Sequence, residues 1–160
     1  MLTNRHVVVA IVVAPVLSLA GWWGVGEFIG EKAQPARPGD SYPLLEKSNC
    51  RYASGTCNLE NGDFFLTLVY TEGVAGNALL VRSSHPLDGL VASVAPADGA
   101  AQPVSMGAVD EAGLHWRLAL ARLPDTRDRI RLVAGASGSV YFGDAGTTFI
   151  YPDTVDGSLP

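Results

Sequence analysis

Two cysteines, two methionines and three histidines are all that the 160 residues hold of the residue types that bind soft metals or do thiol chemistry. The cysteines, Cys50 and Cys57, are not spaced as the CxxC of redox motifs or zinc sites. There is no His-x-His or methionine-rich tract, and isolated donors such as His85, His115 and Met106 do not make a site. They read as surface histidines and a packed methionine. Catalytic motifs are lacking too. Gly135-Ala136-Ser137-Gly138-Ser139 misses the GxSxG elbow and lies between strand patterns, not between a strand and a helix. Neither His85 nor His115 falls in a triad motif, and no phosphate-binding glycine loop occurs. The reading is of a non-enzymatic chain with no catalytic residue, metal site, cofactor or evident small-molecule substrate. A net charge of -5 argues against nucleic acid.

Charge is missing altogether from residues 7–26, VVVAIVVAPVLSLAGWWGVG. At about 1.5 Å per residue that run matches the roughly 30 Å hydrocarbon core of a bilayer. Arg5 and the amino terminus precede it, which favours an N-inside orientation. Two readings compete. Ser18-Leu19-Ala20 fits a cleavage site, but the apolar run continues through Trp22, Trp23 and Phe28, longer than a signal peptide needs. The favoured reading is an uncleaved single-pass inner-membrane helix over residues 7–29, after a cytoplasmic arm at 1–6. Ala10, Ala14, Ser18 and Gly21 mark a small-residue face along it, suited to docking another membrane helix.

Residues 30–40 include AQPARPGD and read as an extended linker. A periplasmic domain over 41–152 and a loose tail at 153–160 complete the plan. Outside the cytoplasm, cysteines as close as Cys50 and Cys57 are expected to be oxidised into a structural disulfide, with a metal or redox role as the alternative.

Beyond the linker the pattern is all-β. Asn61-Gly62 is a hairpin signal, followed by an aromatic and β-branched strand over 63–70. Further strands are expected at 78–83, 90–94, 139–142 and 147–151, with an irregular edge strand at 102–108 because of Pro103. Residues 114–123 read as a strand because Leu114, Trp116, Leu118 and Leu120 alternate with His115, Arg117, Ala119 and Ala121. Residues 129–134 alternate likewise. Short strands at regular intervals suit an antiparallel immunoglobulin-like β-sandwich, with Trp116 as a core residue. Arg117, Arg129 and Arg131 take outward phases of two strands expected to be hairpin neighbours. They form a possible basic partner-binding face, for an acidic protein or lipid head groups, unless paired with Asp110, Asp125 or Asp128.

This layout resembles the FixH-like group of small proteobacterial inner-membrane proteins. The resemblance is carried by Trp22-Trp23, Tyr42-Pro43-Leu44-Leu45, the cysteine pair and Asn61-Gly62-Asp63. It implies one transmembrane helix and a periplasmic immunoglobulin-like domain. FixH itself is associated with assembly of cbb3-type haem–copper oxidase; the resemblance carries over the architecture and no metal ligand. The small-residue helix face, the linker and the missing catalytic groups make the expected function an accessory or assembly module with an inner-membrane protein partner. The alternatives are a copper-handling factor, or an envelope ligand-binding domain using residues 83–89 or 135–138.

Overall fold

Alternation of apolar and polar residues becomes alternation of burial wherever one strand face is covered. Residues 115–120 show it: Trp116 and Leu118 are buried, and His115, Arg117 and Ala119 are exposed. The computed structural model describes residues 5–28, 37–74 and 76–151. Its strands are β1 (Ser41–Glu46), β2 (Thr56–Asn61), β3 (Phe64–Thr71), β4 (Asn77–Ser83) and β5 (Gly89–Pro96). They continue with β6 (Val104–Ser105), β7 (Gly107–Ala108), β8 (His115–Leu120), β9 (Asp128–Ala136) and β10 (Ser139–Gly146). The fold is all-β, and the ten strands run in the order β6-β5-β9-β10-β1-β2-β3-β4-β8-β7.

Two places organise this order. At β1 the chain changes neighbours. Residues 41–44 run parallel to Val140–Gly143 of β10, and Leu45 and Glu46 then pair antiparallel with Glu60 and Leu59 of β2. At the far end, β6 pairs with β5 and β7 pairs with β8, yet only Met106 separates β6 from β7. Met106 is buried, and its backbone N–H donates to the Leu90 carbonyl at 2.8 Å. The half built on β5, β9 and β10 is thus tied at both margins to the half built on β2, β3, β4 and β8.

The inward residues of both halves share one core. Leu59, Leu66, Leu68 and Leu79 from one half meet Leu90, Ile130, Leu132 and Tyr141 from the other. Fully burying each leucine contributes about 1.5–3 kcal/mol. Trp116 is in this core, and its indole N–H donates to the Gly113 carbonyl at 2.9 Å.

The structure departs from the sequence reading at several strands. β1 and β2 form where the sequence pattern predicts no strand; β2 has only Cys57 and Leu59 as buried residues among Thr56, Asn58, Glu60 and Asn61, a weak apolar signal. Residues 147–151 are not a last strand. Thr148–Ile150 is a 3-10 turn that buries the consecutive Phe149 and Ile150, and the Thr147 hydroxyl donates to the Asp125 carbonyl at 2.6 Å. The expected edge strand at 102–108 is split into β6 and β7 by Met106.

The N-terminal unit is a single helix, α1 (Arg5–Phe28), with Pro15 inside it. Among the described residues no helix is long and apolar enough to cross a membrane. On α1 the described side chains are those of Val9 and residues 11–21. Of the expected boundaries, residues 1–4, residue 29, most of the linker and the tail at 153–160 lie outside the described residues.

Candidate functional site

The outer face of β5, β9, β10 and β1 carries an apolar row fixed by strand register. Val91 lies beside Val133, Val133 beside Phe142, and Phe142 beside Pro43. Val140 extends it, next to Gly135, which in turn faces Gly89. Val133 is 46% exposed and Phe142 44%. An outer sheet face is ordinarily polar, so this row is the unusual feature of the surface. None of its members is a predicted site residue. The signal was present as Val133 and Phe142 on outward phases, but only the register puts them side by side.

Arg129 and Arg131 of β9 lie on the same face, nearer its other end, and are neutralised. The Arg129 guanidinium pairs with Asp144 and, at 3.4 Å, with Glu46. Arg131 pairs with Asp144 at 3.5 Å and donates to the Gly99 carbonyl at 3.1 Å. Glu46 also accepts the Gly146 N–H at 2.8 Å. The expected acids Asp125 and Asp128 serve Arg127 and Arg122 instead, and Asp110 serves His115. The proposed trio of arginines is therefore divided. β8 lies between β4 and β7, and β9 between β5 and β10. They are not hairpin neighbours, because the chain crosses between the two halves over residues 121–127. Arg117 stands in the other half and has no ion pair among the described residues.

His115 and Asp110 form a surface pair, with Nδ1 of the imidazole 2.6 Å from the carboxylate. That hydrogen bond, with backbone N–H donors from His115 and Leu114, holds the Asp110 carboxyl below its ordinary value. His85 stacks on Phe64, which stacks on Tyr141, which lies against Tyr42. No sequence pattern marks an aromatic assembly there. Phe64, Tyr141 and Tyr42 are buried, so the stack braces the core and offers no open platform. Burial pushes the Tyr141 hydroxyl up, with smaller contributions from Asp63 and Tyr42.

The loops at 83–89 and 135–138 do meet: the Asp88 N–H donates to the Gly135 carbonyl at 2.8 Å. Cys50 and Cys57 are joined in a disulfide, with both cysteines fully buried. On α1, Ala14, Ser18 and Gly21 are exposed, and the Ser18 hydroxyl is occupied by the Ala14 carbonyl at 2.8 Å. The side chain of Ala10 lies outside the described residues. Among the described residues no group of three or more His, Cys, Asp or Glu side chains is placed to hold a metal ion.

Comparison with family models, with curated proteins and with solved structures finds no match to this chain.

Proposed function

We propose that the chain is a non-enzymatic, membrane-anchored interaction module, an accessory or assembly factor for an inner-membrane complex. In this reading α1 is the anchor, the N-terminal arm is cytoplasmic and the β-domain is periplasmic. The two halves of the strand order are then the layers of an immunoglobulin-like sandwich. The observation that carries the proposal is the row Val91, Val133, Phe142 and Pro43. Single exposed apolar residues are ordinary, but a contiguous apolar patch marks an interaction site. Its occupant is a membrane protein with a matching apolar surface. Anchoring is supported by the uncharged run of residues 7–26, which lies within α1. The Cys50–Cys57 bridge suits an oxidising compartment. A role in haem–copper oxidase assembly is one case of this proposal. Its copper-handling form has less support, since Met106 is only 5% exposed and packs in the core.

The test is purification of the full-length protein from native membranes in mild detergent, with mass spectrometry of stoichiometric companions. A defined membrane complex that is lost on Phe142→Glu, with the melting temperature unchanged, is the expected result. A lone protein, or a complex indifferent to Phe142→Glu, overturns the reading.

A further inference from the structure

The strands carry Arg82, Arg117, Arg129 and Arg131. Arg129 and Arg131 are matched by acids. Arg82 and Arg117 are both exposed, have no ion pair among the described residues, and are neighbours. Arg82 lies opposite His115, and Leu80 opposite Arg117, across the β4–β8 ladder. The two arginines are thus diagonal neighbours on one outward face. In a chain of net charge -5 this is a local positive site against the overall sign.

The rows around them define what fits. Register puts Asn58, Thr67, Arg82 and His115 in one row, and Thr56, Val69, Leu80 and Arg117 in the next. Val69 and Leu80 are half-buried and make an apolar strip beside the guanidinium groups. Gly107 of β7, opposite Arg117, leaves the space beside it free of a side chain. Asp110, in the turn before β8, is taken up by His115 and by two backbone N–H groups.

From this arrangement we infer that the outer face of β3, β4 and β8 docks an extended acidic segment of a partner protein, its alternate carboxylates pairing with Arg82 and Arg117. Diagonal neighbours on an antiparallel ladder are about 7–8 Å apart. Same-side residues of an extended peptide repeat at about 6.7 Å. One carboxylate therefore meets each guanidinium, which takes carboxylates in paired hydrogen bonds, and the intervening residues of the segment point away from the sheet. This face is in the opposite half from the Phe142 row, so the two readings stand or fall separately.

The experiment uses the 15N-labelled full chain in zwitterionic detergent, titrated with the blocked peptide Glu-Val-Glu-Val-Glu. Amide shifts should concentrate at residues 67, 80, 82, 115 and 117 and shrink with added salt. Arg82→Gln or Arg117→Gln should each weaken binding about five-fold, and the double variant should abolish it, with unchanged melting temperatures because both side chains are exposed. No shift, shifts on another face, or equal binding by the double variant overturns the inference. So does binding of phosphatidylglycerol vesicles without binding of the peptide, which would make the face a lipid contact.

Discussion

Phe64 of β3 lies flat on Tyr141 of β10, ring centroids 3.7 Å apart and planes 6° from parallel. The two strands belong to different halves of the sheet order, so this contact is a direct tie between them. Phe64→Ala should cost about 3–5 kcal/mol, read from urea unfolding followed by tryptophan fluorescence. Phe65→Ala on the neighbouring, exposed position should cost far less.

Alkaline pH should weaken the fold. Burial raises the Tyr70, Tyr141 and Tyr151 hydroxyls above their ordinary 10.0. Below that value both folded and unfolded chains keep the proton, and the stabilisation is complete. Above it the unfolded chain ionises first, so stability is lost as pH rises towards the folded values. Melting temperature against pH should fall above 10.0, and less steeply for Tyr141→Phe.

Acid should act through Asp110. Its carboxyl is held down chiefly by the His115 side chain, so it keeps its charge below the ordinary 3.8. Between that value and the folded one the unfolded chain takes up the proton first, and the contribution is lost as pH falls. His115→Ala should move the Asp110 titration, followed by carboxyl 13C shift, upward.

Reduction of Cys50–Cys57 releases a loop with a sequence separation of 7. The chain-entropy term for so short a loop is about 2–3 kcal/mol. The paired variant Cys50→Ala with Cys57→Ala should lose about that much stability, and dithiothreitol should lower the melting temperature of the native chain but not of the variant.

Gly113 has a φ of +67°, and a Cβ there would lie 2.9 Å from the Leu87 carbonyl oxygen. Its own carbonyl accepts from Leu87 and from the Trp116 indole. Gly113→Ala should therefore cost more than the roughly 1–2 kcal/mol of left-handed backbone alone. Gly55→Ala is the control, since φ is +74° there but nothing lies within 4 Å. The difference between the two melting temperatures measures the steric part.

Strands with strict alternation were readable in advance. Trp116 and Leu118 of β8, and Ile130, Leu132 and Ala134 of β9, turn inward as their period-two pattern requires. The close cysteine pair pointed to its bridge. Strands poor in apolar residues escaped, as β2 did, and so did the turn at Phe149, where tertiary burial overrides local preference. Neighbour relations escaped most completely. Arg117 and Arg129 are close in sequence, yet a crossover between halves separates them. Phe142 and Pro43 are far apart in sequence, yet register makes them adjacent. Faces built by register are a property of pairing, and pairing is non-local.

The single-residue step at Met106 has one more effect. The terminal strands of the order, β6 and β7, are 2 residues each, and each bends away at once into the other half. A growing fibril needs a long straight margin on which to lay the next chain, and β6 and β7 are too short to template one. Lengthening either strand past the bend, as by replacing Met106 with a short β-forming insert, would hand the protein the aggregation-prone margin it now avoids.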